Sequence, residues 1–126
     1  MSIEKLSNSH RILKTAHGDV LGCSYRWPRG QYCAIHTDRG IVGCGIYDCE
    51  TASRFGMAVA IARGTPEIPL VEPEDLLVAR IVEMSQPAAE LGIAVGMTGA
   101  EALRQMLTRP DGLADKHRNI PRAIEE

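Results

Sequence analysis

The sequence predicts a single α+β domain, with N-terminal antiparallel β hairpins followed by a mixed α/β portion. Three observations carry this. The chain has 126 residues, the size of one domain. Four β-patterned runs, separated by turn residues, fill the stretch up to Ile46. Beyond it, helix-start signals at Asp48, Pro73, Ser85 and Thr98 alternate with short apolar runs.

The elements follow in order. Met1 to His10 is polar and expected to fray. Ile12 to Trp27 reads as a hairpin turning at His17-Gly18-Asp19. In its second run Leu21, Cys23, Tyr25 and Trp27 share one face, and Val20, Gly22, Ser24 and Arg26 the other. Both faces carry apolar groups and a lone hairpin is marginal in water, so this one is expected to be covered, with another subunit as one cover. Trp27-Pro28-Arg29-Gly30 is a turn, Tyr32 to Thr37 a third strand, Asp38-Arg39-Gly40 a tight turn, and Ile41 to Ile46 a fourth strand. Gly43 and Gly45 would form one face of that strand, suiting close approach of a neighbour.

Asp48 suits the N-cap of a helix from Cys49 to about Phe55, with Ala52 and Phe55 facing the core. Met57 to Ala62 is β-compatible, and Gly64 to Glu72 is a loop. Pro73 begins a short helix through Leu77, and Arg80 to Met84 is a strand. Ser85 caps a helix that ends at Gly92. Thr98-Gly99-Ala100-Glu101 is a capping box before a helix bearing Leu103, Met106 and Leu107. Leu113 to Glu126 reads as a short helix or a mobile tail.

Composition excludes several functions. Apolar residues at 44% and charged residues at 24% are globular proportions, and this length buries roughly two thirds of the unfolded surface without a metal or disulfide. A net charge of −2 and only 4% aromatics argue against nucleic acid as partner. No apolar run is long enough for a membrane span, and MSIEKLSNSHR lacks the apolar core of a secretory signal. Cys23, Cys33, Cys44 and Cys49 then read as reduced thiols of a cytoplasmic protein.

No metal or cofactor is expected. The cysteines form no closely spaced ligand pair, and strand alternation points Cys33 and His36 to opposite faces. Gly43-x-Gly45-x-x-Asp48 narrowly misses a dinucleotide fingerprint, because an acid stands where glycine is needed and would repel a phosphate. Gly92, Gly96 and Gly99 lack the Lys-Ser/Thr of a phosphate loop and suit turns and caps.

Four residues remain as catalytic candidates: Cys44, Asp48, Glu101 and His36. Cys44 has glycine neighbours that leave room for a ligand, but is more readily read as a small buried apolar residue, as most free cysteines are. A cysteine nucleophile also needs a base, and His36 and His17 are the histidines within plausible reach. Cys49 opens a helix but lies between Asp48 and Glu50, which oppose a thiolate. Asp48 and Glu101 would serve as a carboxylate pair, although capping explains each. His10 and His117 lie near the termini and carry little weight.

GIVGCGIYD after Asp38-Arg39-Gly40, then ETASRFG, AVAIARG and EDLL leading to ARIVEMS, and above all AELGIAVGMTG followed by AEAL, make a distinctive series. On these pieces the chain resembles the YunC-like family from Ile12 to Leu107. The resemblance implies an N-terminal β region associated with tetramer formation, followed by an α/β part. Cys44, Gly45, Asp48, Gly96, Met97, Gly99 and Glu101 fall on its motif positions, but no role, substrate or cofactor comes with them. The loop Thr65 to Val71 looks longer than usual for the family, and residues 110–126 are an extension. The reading is therefore a cytoplasmic homo-oligomer, a tetramer by the resemblance, acting as a binding or regulatory module with room for an unidentified small-molecule ligand. The alternative is a small-molecule enzyme using Cys44 at or near a subunit interface.

Overall fold

A computed structural model describes residues 7–108. The readings for residues 1–6, His117 and the extension 110–126 lie outside them. A six-stranded sheet runs in chain order: β1 (Ser7–Thr15), β2 (Gly18–Trp27), β3 (Gly30–His36), β4 (Ile41–Gly43), β5 (Val59–Arg63) and β6 (Arg80–Met84). Every neighbouring pair is antiparallel except β4 and β5. That parallel step is made through helix α1 (Cys49–Arg54), as parallel strands require a crossover. Helices α2 (Pro73–Val78), α3 (Gln86–Glu90) and α4 (Gly99–Leu107) complete the α+β fold that the sequence predicts.

The first hairpin is longer than expected. Ser7 to His10 do not fray but pair with Arg26 to Cys23, because β2 is long enough to offer them a ladder. The turn is Ala16-His17, one residue early, closed by the Thr15 hydroxyl donating to the Gly18 carbonyl at 2.6 Å. Gly18 then enters β2 at φ +138, where a side chain would be strained.

β4 is shorter than expected, ending at Gly43 rather than Ile46. The chain turns there and lays the Tyr47 ring against Gly43, which has no room for a side chain. Gly45 meets nothing nearby, so close approach holds for Gly43 and not for Gly45. Asp48 caps α1 as predicted, accepting from the Glu50 N–H at 3.0 Å and the Thr51 hydroxyl at 2.7 Å. Ala52 is buried, but Phe55 is 74% exposed, a correction to the predicted core face. The helix has already ended: Gly56 takes φ +71, and Gly56 and Met57 donate back to Ser53 and Ala52 in a Schellman cap.

Two apolar layers sandwich the sheet. Ala60 and Ala62 face a core with Ile35, Val42, Leu76, Leu103 and Met106, under α2 and α4. Val59 and Ile61 face the other way, against Cys49 and Ala52 of α1 with Tyr47 and Val82. Gly99 meets the Leu76 carbonyl, so α4 sits backbone-close on α2. Ser85 joins β6, β5 and α3: its hydroxyl donates to Met57 O at 2.7 Å, accepts from Val59 N at 2.9 Å and caps Ala88 N at 3.4 Å. At the surface, Arg11 makes a forked ion pair with Glu74, and Arg26 pairs with Glu72, fastening the hairpin to the start of α2.

Candidate functional site

Helix α1 covers only the β4–β6 half of its side of the sheet. On the same side, register aligns three rows across β1, β2 and β3: Ile12–Leu21–His36, His10–Cys23–Ala34 and Asn8–Tyr25–Tyr32. Among the described residues, α2 and α4 pack on the opposite side and α1 packs on β5 and α3. The three rows therefore lie outside the cover of the described helices, exposed at Ile12 and Leu21 but closed over Cys23 and Ala34 in the middle row, which are buried. Ile12 is 68% exposed, and Leu21 and Trp27 are each 37% exposed.

The three tyrosines and the tryptophan of the chain gather on this side. Tyr25 stacks on Tyr32 at 4.6 Å between ring centroids, while Trp27 and Tyr47 meet Tyr32 edge-on at 6.2 and 6.3 Å. His10 Nε2 and the Tyr25 hydroxyl share a hydrogen bond of 2.7 Å. Burial, with Tyr32 and Cys44 nearby, pushes the Tyr47 phenol up to about 12. The sequence showed Tyr25 and Trp27 on one face by alternation. Tyr32 and Tyr47 join them only through strand register and the turn after Gly43, signals that spacing alone does not carry.

At the end of this face lies a pocket of about 560 Å³, lined by Ile12, His17, Asp19, Leu21, His36 and Asp38 among others. His17 and His36, two expected site residues, are thus brought together. Burial lowers the His36 pKa, and His10 lowers it further. The pocket does not include Cys44. His36 lies opposite Ile41 on β4, three residues before Cys44, or about 10 Å along a strand. Cys44 also falls on the opposite side of the sheet from His36, so that histidine is not its base.

Cys44 itself leaves the end of β4, half-buried, and its N–H donates to the Cys33 carbonyl at 3.3 Å. It is therefore not inside a buried strand as the longer β4 would have placed it. Cys49 is buried, its Sγ facing the Val59 carbonyl at 3.9 Å. Burial first, then Glu83 and Asp48, push its thiol up to about 11. The acidic flank read from the sequence contributes through Asp48, but desolvation is the larger cause.

Asp48 and Glu101 are not brought together. Asp48 caps α1 on one side of the sheet, and Glu101 belongs to α4 on the other. Glu101 accepts from the Thr98 N–H at 2.8 Å and Thr98 Oγ1 accepts from Glu101 N at 3.1 Å, which completes the capping box and holds the carboxyl below its usual range. Thr51, first, and the backbone hold Asp48 low in the same way. Among the described residues no three His, Cys, Asp or Glu side chains are arranged to hold a metal ion. No helix among them is long and apolar enough to cross a membrane.

Fold and site together define a class: an α+β domain on a mixed sheet, one half-face of which is aromatic and open. Residues 43–106 match the family described as Domain of unknown function (DUF1805), and the chain belongs to that family. It is similar to the uncharacterized protein YunC of Bacillus subtilis (strain 168), with 32% identity over 84 residues, 64% of this chain and 78% of that protein. Its fold is similar to the crystal structure of a protein of unknown function, TA1206 from Thermoplasma acidophilum. There the TM-score is 0.69 at 18% identity, covering 84% of this chain and 99% of the other. The YunC-like resemblance read from the motifs is thus shown, and neither relative's name carries an activity.

Proposed function

We propose that the protein is a homo-oligomeric binding or regulatory module that assembles through the open face of β1–β3. The observation that supports this is the row Ile12–Leu21–His36 at one end of the face and the aromatic group around Trp27 at the other, exposed side chains left uncovered by the described helices. A second copy is the fitting occupant. Of the charged groups of the hairpin, Arg11 and Arg26 are turned to the other side and engaged by Glu74 and Glu72, while Lys14 and Asp19 pair with each other at the end of the open face. What remains is self-complementary in kind, as a two-fold interface needs. Assembly would extend the pocket at His17 and His36 into a site shared between subunits, where a small ligand would bind. The YunC-like resemblance favours a tetramer. Four free thiols fit a cytoplasmic setting, and the net charge of −2 speaks against nucleic acid as partner.

Mass measurement in solution by light scattering tests this. We expect a tetramer at micromolar concentration, and a shift to smaller species in Leu21→Glu, whose side chain already reaches water in the single chain. A monomeric wild type would overturn the reading.

A further inference from the structure

The turn Asp38-Arg39 is closed by Thr37 N–H donating to the Gly40 carbonyl at 2.9 Å. From that closure the ladder runs His36–Ile41, Ile35–Val42 and Ala34–Gly43. The next step is the Cys44 N–H donating to the Cys33 carbonyl at 3.3 Å. Cys33 and Cys44 are therefore cross-strand neighbours at a hydrogen-bonded position. Directly opposite residues of an antiparallel pair present their side chains on one face, with Cα atoms about 5.5 Å apart. That spacing falls inside the range a disulfide requires. The two thiols are free, Cys33 fully buried and Cys44 half-buried. β4 pairs with β5 only as far as Gly43–Ile61, so Cys44 has ladder contacts on one side alone and freedom to adjust.

We propose that Cys44 and Cys33 form a peroxide-reactive dithiol, Cys44 being the attacking thiol and Cys33 the resolving one. Cys44 sulfur, as thiolate, attacks one oxygen of a hydroperoxide. The S–O bond forms, the O–O bond breaks, and the departing oxygen takes a proton as water or alcohol. Cys33 sulfur then attacks the Cys44 sulfenic sulfur. The S–S bond forms, the S–O bond breaks, and hydroxide leaves with the Cys33 proton as water. Two electrons, one from each thiol, reduce one peroxide.

The division of roles follows from exposure, since the first step needs solvent access and the second does not. Burial, then Cys44, Asp75 and Glu72, push the Cys33 thiol up to about 12, which disfavours it as the first attacker. The other cysteines are placed elsewhere. Cys23 is buried on the Tyr25 side of the sheet, and Cys49 is buried within α1. The bond would pin the middle of β3 to the turn that carries Tyr47 and Asp48, stiffening the link between hairpins and α/β portion.

The test treats the reduced full chain with hydrogen peroxide near one equivalent and maps linkages by tryptic digestion and fragmentation. We expect intact mass to fall by two hydrogens, with peptide 30–39 joined to 40–54 through Cys44 within one chain. A dithiol reductant should reverse it. In Cys33→Ser, Cys44 should instead stop at the sulfenic acid at the same dose, trapped by dimedone, and reach sulfinic acid only with a second equivalent. Wild-type protein that stays reduced, accumulates Cys44 sulfinic acid without the link, or links through Cys49, Cys23 or a second chain would overturn the proposal. Should Cys33→Ser fail to fold, the wild-type linkage map decides alone.

Discussion

The ring of Tyr47 lies across Gly43, filling the space where any other residue would carry its Cβ. This contact ends β4, turns the chain toward α1 and joins the open aromatic face to the layer beneath α1. Gly43→Ala should destabilise the fold by about 1–3 kcal/mol, the usual cost of overpacking. Gly45→Ala, two residues on, meets nothing within 4 Å and should be close to neutral. Urea midpoints of the two variants check the contrast, and Tyr47→Ala should remove most of the Gly43→Ala penalty if the ring is its cause.

Ser85→Ala should be among the costliest conservative changes. One hydroxyl, 1% exposed, satisfies Met57 O and Val59 N and caps α3. Its loss strands the buried Val59 N–H, leaves the part-buried Met57 carbonyl without its donor and removes a cap, for about 2–4 kcal/mol in all. Denaturant titration measures the loss, and the change should leave oligomer mass unaltered in the folded fraction.

Acidification should weaken the fold in two stages. His36 has its pKa lowered by burial and then by His10, so below about pH 6.5 the unfolded chain takes up a proton that the folded chain resists. Stability falls as pH drops through that window. Asp48, Glu74 and Glu101 also have lowered pKa values, through Thr51, Arg11 and the Thr98 backbone respectively. Their contribution is present above the ordinary carboxylate range near about 4 and is lost below it. Thermal midpoints from pH 7.5 to 3 should show both stages, and His36→Asn should flatten the upper one alone.

Trp27 is the chain's sole tryptophan and sits on the open face at 37% exposure. Assembly through that face should bury it. Dilution should then shift its emission to longer wavelength over the concentrations where mass falls, with Leu21→Glu resembling the diluted wild type throughout.

The caps were legible because their chemistry is local. Asp48, Ser85 and Thr98 each precede a helix and accept from its first turn, as the residue types alone imply. The end of β4 was not, since Ile41 to Ile46 reads as one apolar run and only the tertiary contact of Tyr47 cuts it short. Phe55 looked like core by helical spacing, but the spacing stops where Gly56 turns the chain. Ser7 to His10 looked too polar to be ordered, and strand pairing overrode composition. At the site, the sequence puts His17 and His36 within reach of Cys44. The structure places both histidines on one pocket that excludes Cys44, because register sets Cys44 beyond and behind His36. The Cys33–Cys44 pairing follows from a two-residue turn at Asp38-Arg39, which makes each β3–β4 pair countable from the sequence, yet strand alternation viewed along one strand does not reveal it.

Strand order in the sheet equals strand order in the chain, and this bears on how the protein comes to be folded. Each strand finds its neighbour in the one synthesised just before it, so the loops to be closed are short from β1 to β4 and of moderate length through α1 and α2, which keeps the entropic barrier low. The sheet can be laid down progressively as the chain emerges. Its core cannot be sealed that way, because Leu103 and Met106 of α4 pack beside Ile35 and Val42 from far earlier in the chain. Folding would then end with α4 docking, and a chain stalled before residue 99 would carry a finished sheet with an unsealed core.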